Sequence, residues 1–459
     1  MDIVAELQAV LGEGGVLTGE DVHARQAGIW RRDTIKAKAL LRPRSTEQVS
    51  QALAICNAHG QAVVAHGGLT GLVKGAITTP DDIVLSLELM NQIEEINPLD
   101  RTMVVQSGVL LQTLQEAAEA HELMFPLDLG ARGSCTIGGN ISTNAGGNRV
   151  IRYGMTRDMV LGLEAVLADG TVVSSMNRML KNNAGYDLKQ LFIGTEGSLG
   201  VITRAVLRLR EAPQTRSTLL VAVDDFDKLA KFLKHIDAAL GGSLSAFEVM
   251  WNNFYTLVTT PPAENQAPIS RDYPYYVLVE AMGSDDAMVE NAMSQAYENG
   301  LVVDAVIAQS EAQRLQLWAL RDSVEECMRF APTFTFDVSL RISQMRDYID
   351  EVNRLLEKRY EDYKNFTFGH MGDGNLHLVI AVGKGGPEVR RAVEACVYQP
   401  LAEIQGSVSA EHGVGLEKKD YLALSRSAEE IELMRRLKIA LDPKAILNPG
   451  KIFDPLPAP

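Results

Sequence analysis

Glycine is concentrated at three places in the first half of this chain: His66-Gly67-Gly68-Leu69-Thr70-Gly71, Thr136-Ile137-Gly138-Gly139-Asn140 running on to Gly146-Gly147, and Ile193-Gly194-Thr195-Glu196-Gly197-Ser198-Leu199-Gly200. Glycine lets backbone N–H groups approach an anion that a side chain would hold away, so such loops suit a phosphate-bearing ligand. Any one of them is more simply an ordinary turn, but three within 66–202 point to one long ligand laid across them. The first follows a capping-box helix start at Thr46–His59 and the apolar run Ala62-Val63-Val64-Ala65, giving helix, strand and glycine turn. Between the second and third lies a strand candidate, 161–167, ending in Ala168-Asp169-Gly170. The pattern G-x-G-x-x-G occurs nowhere, which disfavours a nicotinamide-binding Rossmann domain.

The second half carries a different constraint. Gly369-His370-Met371-Gly372-Asp373-Gly374-Asn375-Leu376-His377 and Ala410-Glu411-His412-Gly413-Val414-Gly415 together hold three of the eight histidines. His370 and His377 stand at opposite ends of a Gly-Asp-Gly-Asn turn that can fold both imidazoles toward one point, and Glu411 can add a carboxylate oxygen. Two imidazoles and a carboxylate make a divalent-metal shell with open positions, with zinc the default ion. Taken alone, His377 reads better as a satisfied strand histidine. Glu411 and His412 are adjacent and would face opposite ways on a regular strand, whereas Gly413 and Gly415 permit a bend that brings both inward.

Composition bounds the function. The formal charge, 44 minus 59 or −15, argues against a nucleic-acid partner, and an anionic substrate would need a local cation, arginine or metal. At 459 residues the chain should form at least two units, and its 46% hydrophobic and 22% charged residues are those of an ordinary soluble globular protein. Cys56, Cys135, Cys327 and Cys396 form no C-x-x-C pair, which excludes an encoded iron–sulfur cluster or zinc ribbon and fits a reducing compartment. The segment Met1-Asp2-Ile3-Val4-Ala5-Glu6 has no basic or apolar leader character, and no stretch approaches the ~20 apolar residues of a membrane span. The expectation is a cytoplasmic protein, with any membrane contact peripheral to the inner membrane and made through a partner.

The pattern changes near residue 212. Helix candidates follow at 225–239, 285–299 and 343–360, with strands near 218–223, 275–282, 335–340 and 376–382 and a final amphipathic segment at 429–440. Helices alternating with strands that need not be parallel fit an α+β domain.

The segments 67–72, 126–147, 153–170, 183–202, 369–377, 411–419 and 448–451 together resemble the FAD-dependent D-2-hydroxy acid dehydrogenases over nearly the whole chain. That family includes D-lactate dehydrogenase, the glycolate oxidase flavin subunit and D-2-hydroxyglutarate dehydrogenase, within the vanillyl-alcohol-oxidase-like flavoproteins. The resemblance implies an α+β fold: a two-subdomain FAD-binding domain over 1–212, an α+β substrate cap domain with the metal site over 213–425, and a segment 426–459 returning to the FAD domain. It implies that His66, Gly67, Gly68, Leu69, Thr70, Gly71 and Leu72 wrap the FAD pyrophosphate. Pro126, Asp128, Gly130, Ser134, Gly138, Gly139, Asn140, Asn144, Gly146 and Gly147 would line the flavin and its phosphoribityl chain. Glu196, Gly197 and Ile202 would hold the adenosine end, and Asn448 would reach the isoalloxazine. Relatives with covalent flavin carry a histidine after the glycines of the first loop; here His66 precedes them, so non-covalent FAD is expected.

Oxidising a 2-hydroxy acid requires a hydride acceptor at C2, a base for the hydroxyl proton and a cationic grip on the carboxylate. The resemblance assigns these to flavin N5, His412 and Arg321, with Arg341 a weaker second cation and His370, His377 and Glu411 as metal ligands. Hydroxyglutarate enzymes hold a second carboxylate with threonine, lysine and asparagine at positions that here are Glu325, Thr335 and Val379. A D-lactate-like monocarboxylate is therefore the first expectation and D-2-hydroxyglutarate the second. Two other classes compete: a metal-dependent hydrolase whose glycine loops are only turns, and an electron-transfer flavin subunit without its own substrate. With no cluster cysteines and no haem motif, electrons are expected to pass to a separate quinone, electron-transfer flavoprotein or cytochrome; a homodimer is the oligomer considered.

Overall fold

Ser45 starts the first long helix, Thr46–His59, by accepting the Gln48 amide at 3.2 Å, while the Gln48 side chain accepts the Arg44 amide at 2.7 Å; Gly60, at φ 62°, ends it. Val49, Ala52, Leu53 and Cys56 form its buried stripe, packed with the helix Ile3–Leu11 on a four-stranded sheet. That sheet runs in the order Val16–Leu17, Ala39–Leu41, Ile83–Ser86, Val63–His66, with its last three strands parallel and apolar. A five-stranded antiparallel sheet, Ile93–Asn97, Thr102–Gln106, Val201–Arg208, Val160–Val166 and Val172–Ser175 in spatial order, completes this region.

The computed structural model describes residues 2–29 and 31–454 and divides into two units. The first comprises Met1–Gly146, Gly154–Ala212 and Glu411–Pro459; the second comprises Gly147–Tyr153 and Pro213–Ala410. The cut after 212 coincides with the change in sequence pattern, but two boundaries differ from expectation. The returning segment begins at Glu411, not 426, because Val73 accepts the Leu416 amide at 2.9 Å and Glu196 accepts the amides of Val414 and Gly415. Residues 147–153 belong to the second unit because the Arg152 guanidinium donates to the Ser243 carbonyl at 3.3 Å and Arg149 approaches the buried Glu280 at 3.8 Å.

The second unit is one seven-stranded antiparallel sheet, in the order Asp304–Ile307, Arg216–Val223, Tyr275–Met282, Leu244–Trp251, Lys364–His370, Asn375–Ala381, Thr333–Ser339. The helices Phe226–Ala239 and Asp286–Glu298 begin at Asp225 and Asp285, whose carboxylates accept amides of the first turn. One sheet face packs Ala246, Met250, Leu278, Phe366, Phe368 and Val379 against the helices Asn252–Thr259 and Glu311–Asp322. Alternation on a strand puts Glu248, His370 and His377 on that same face. Among the described residues no helix is long and apolar enough to cross a membrane.

Candidate active site

The hairpin Lys364–His370 to Asn375–Ala381 builds the centre of the site. A short turn, Met371–Asp373, closes at Gly374 with φ 89°, and a Cβ on Gly369 would lie 2.6 Å from the Asn375 carbonyl oxygen. That close approach brings the strand ends together, so that the rings of His370 and His377 meet edge to face with centroids 5.2 Å apart. Across the sheet, His377 stands opposite Phe368 on one side and Asp337 on the other, and His370 stands opposite Glu248.

Buried carboxylates fix this face. Glu248 accepts from His370 Nδ1 at 2.7 Å and from Arg321 Nε at 2.8 Å. Burial alone would push the Glu248 carboxyl up, but the neighbouring His370 and Arg321 outweigh it and hold the group below the usual carboxylate range. Arg321 also lies 4.7 Å over the Phe368 ring. Asp337, fully buried, accepts the Ala410 amide at 2.9 Å and so fixes where the next residue leaves the sheet. That residue is Glu411, and one ligand atom from each of His370, His377 and Glu411 lies within 4.8 Å of the others. Two imidazoles and a carboxylate at this spacing fit a small divalent cation. Beside them the Asn375 amide is buried with neither its oxygen nor its nitrogen bonded among the described residues.

In the first unit the three glycine loops come together. A Cβ on Gly67 would lie 2.7 Å from Thr136 Oγ1, and one on Gly68 would lie 2.1 Å from the Ser134 carbonyl, so only glycine allows the first loop to reach the second. The third joins through the Gly194 amide to Ile141 at 3.1 Å and the Glu196 amide to Ser142 at 2.8 Å. Thr136 Oγ1 and Asn140 Oδ1 are buried at this junction without a partner among the described residues. A phosphate at the glycine cradle could accept from Thr136 Oγ1, while Asn140 Oδ1 requires a donor such as a hydroxyl of the same ligand, a combination that fits a phosphate-bearing cofactor.

Several expected cofactor residues bond the protein itself. His66 is buried, its Nε2 lies 2.8 Å from the Ala76 carbonyl, and burial drives its pKa down to about 4, so the neutral ring donates across the base of the first loop. The Glu196 carboxylate, expected toward the adenosine, accepts the amides of Val414 at 2.6 Å and Gly415 at 2.9 Å; burial raises its pKa against the pull of those amides. Gly413 and Gly415 take φ of 82° and 51°, which supplies the bend after His412. Asn448 accepts the Ala65 amide at 2.9 Å and donates to the Glu196 carbonyl. Asn144 accepts the Arg157 amide at 3.0 Å, Asp128 pairs with Arg132, and the Ile202 carbonyl accepts from Ser107. Gly67, Gly71, Leu72, Gly130 and Ser134 are exposed, and Gly147 falls in the second unit. Arg341 is exposed beyond the strand Thr333–Ser339, unlike the buried Arg321. Sequence reasoning missed Glu248 entirely; its one signal is a lone carboxylate inside the apolar run Leu244–Trp251.

Comparison with known proteins bears on both units. Residues 37–175 match an FAD binding domain, and residues 212–452 match the FAD linked oxidases, C-terminal domain. A D-2-hydroxyglutarate dehydrogenase of Xanthomonas citri pv. viticola is 42% identical over 94% of this chain and 92% of its own length. A putative mitochondrial D-lactate dehydrogenase of Schizosaccharomyces pombe is 40% identical over 91% of this chain and 82% of its own. In three dimensions, p-cresol methylhydroxylase with substrate bound superposes with a TM-score of 0.76 at 17% identity, over 98% of this chain and 96% of that one.

Proposed function

The chain belongs to the FAD-linked oxidases, and on that premise we propose that it oxidises a D-2-hydroxy acid to the 2-oxo acid with the help of a divalent metal. The observation that carries the reading is the convergence of His370, His377 and Glu411 in a chain of this family. Non-covalent FAD would supply the two-electron acceptor, and a divalent metal, zinc by its donor set, would supply Lewis acidity. His370, His377 and Glu411 would hold that metal. Arg321, with its Nε–H bonded to Glu248, presents its remaining N–H groups to the substrate carboxylate. His412 takes the hydroxyl proton. A neutral imidazole is the form that accepts a proton, and the glycines that follow, Gly413 and Gly415, take positive φ.

A D-lactate-like monocarboxylate is the first substrate. Val379 is fully buried two residues beyond His377 on the same strand face, and Thr335 stands opposite it, so this pair offers no charge to a second carboxylate. D-2-hydroxyglutarate is the second reading, favoured by the name of the Xanthomonas relative. Electrons pass to a separate acceptor, a quinone, an electron-transfer flavoprotein or a cytochrome, and the protein works in the cytoplasm or at the inner membrane face as a homodimer. The test is anaerobic bleaching of the flavin by D-lactate, D-2-hydroxyglutarate, glycolate and the L-enantiomers, with and without chelator. Stereospecific, chelator-sensitive bleaching supports the reading; a flavin that no acid reduces refutes it.

A further inference from the structure

Glu248 is the one carboxylate on the strand Leu244–Trp251, 1% exposed, and its two oxygens hold different partners. Oε1 lies 2.7 Å from His370 Nδ1, and Oε2 lies 2.8 Å from Arg321 Nε. A carboxylate has only acceptor sites, so the His370 bond requires the proton on Nδ1. In a neutral ring the lone pair then lies on Nε2, the nitrogen able to ligate a cation. The other bond fixes the guanidinium of Arg321 from its Nε edge while Phe368 covers its face at 4.7 Å, so the direction of its remaining N–H groups is set. Antiparallel register delivers this arrangement, since Glu248 is paired directly with His370.

We propose that Glu248 is a positioning residue common to the metal ligand His370 and the carboxylate-binding Arg321, so that metal retention and carboxylate affinity stand or fall together. The inference rests on the metal-assisted reading above. A carboxylate that only neutralised a buried arginine would be bonded to Arg321 and leave the imidazole tautomer unset. Glu248 instead divides its two oxygens between the groups that contact different parts of the substrate. Replacement by glutamine preserves shape but exchanges one acceptor for an NH2 group, which then faces a donor. The amide has one acceptor oxygen for two donors, so it alternates between them and holds neither the Nδ1–H tautomer of His370 nor the guanidinium of Arg321 as the carboxylate does.

The experiment uses the flavin-loaded enzyme as wild type, Glu248→Gln and Glu248→Asp. Zinc affinity is read by competition with a chromophoric chelator. Carboxylate affinity is read with propionate, which lacks the 2-hydroxyl, through its perturbation of the flavin spectrum. Both variants are assayed as flavin-loaded protein well below their own melting temperatures; in each, zinc affinity should fall ~10–100-fold, and propionate should bind more weakly in that same protein. A folded variant that keeps both affinities within about twofold, or loses one without the other, overturns the proposal. Wild-type enzyme that binds no zinc overturns the metal reading itself, and that failure is visible before any variant is made.

Discussion

Buried polar side chains are used differently around the glycine loops of the first unit and beside the strand Leu244–Trp251 of the second. Around the glycine loops several of these groups bond the backbone: His66 to the Ala76 carbonyl, Glu196 to the amides of Val414 and Gly415, Lys438 to the carbonyls of Ser198 and Leu447 as well as to Asp442, Lys451 to that of Ile77. On the sheet of the second unit the central ones bond one another across strands and helices: Glu248 with His370 and Arg321, Glu280 with Trp318 and Thr218. The reason is what the backbone leaves undone. Glycine loops have few regular ladder bonds, and a buried amide or carbonyl without a partner costs about 1–3 kcal/mol, so side chains are recruited to close them. A seven-stranded sheet satisfies its own backbone, and its inward side chains are left to orient each other.

The sharpest way to break that division is at His412, which lies in a backbone-held loop of the first unit yet is assigned chemistry. His412→Asn should slow anaerobic flavin reduction by ~10²–10⁴-fold, with the flavin still bound, as stopped-flow absorbance will show; an unchanged rate would remove the base from this loop. Glu248→Ala leaves Arg321 buried without its carboxylate and should lower stability in urea melts by about 3–5 kcal/mol. A loss below about 1 kcal/mol would mean that the sheet-side network relaxes into water.

His66 provides a pH test of the backbone-bonded half. Its folded pKa of about 4 lies below the ordinary value of 6.5, so the unfolded chain binds the proton first. The stability it contributes is full above pH 6.5 and is lost as pH falls toward 4, by about 3 kcal/mol. His66→Gln, which keeps a donor for Ala76 but does not titrate, should show a correspondingly flatter decline in urea melts between pH 7 and pH 4. Glu196→Gln retains an acceptor for only one of the two amides. Turnover should fall about tenfold, a loss of the 1–3 kcal/mol scale, with KM moved less than twofold; a change confined to KM would argue that Glu196 faces the substrate. The smallest effect is expected at Val379. Val379→Asn should improve kcat/KM for D-2-hydroxyglutarate relative to D-lactate by several-fold, within the ~1–3 kcal/mol that one polar contact contributes.

The same contrast explains what could be read in advance. The loops announced themselves by glycine, and the helices Thr46–His59 and Phe226–Ala239 by their caps and spacing. His370, His377 and Glu411 could be grouped in advance because donors of the metal-binding type come from few residue types, and one ligand atom from each lies within 4.8 Å of the others. The strands Leu244–Trp251 and Lys364–His370 were not anticipated, although they lie side by side in the sheet. The first is an apolar run that leads straight into the helix Asn252–Thr259 with no glycine or proline between them, so no period marks its end. Glu248 went unseen with it, since a carboxylate acquires its role only from cross-strand register, which short-range pattern does not encode. His66 and Glu196 carry a further role that their glycine motifs did not announce, since each bonds backbone that supports a loop.

Residues 147–153 leave the glycine loops and pack with the sheet before the chain returns at Gly154. Ile151 rests against the turn that separates His370 from His377: a Cβ on Gly372 would lie 2.6 Å from its Cδ1. The two units are therefore not modules that can be cut apart at 212 and 410. A fragment 213–410 expressed alone would lose the peptide that braces its own histidine hairpin, and a chimera that borrows this sheet for a new specificity must import that short excursion along with it.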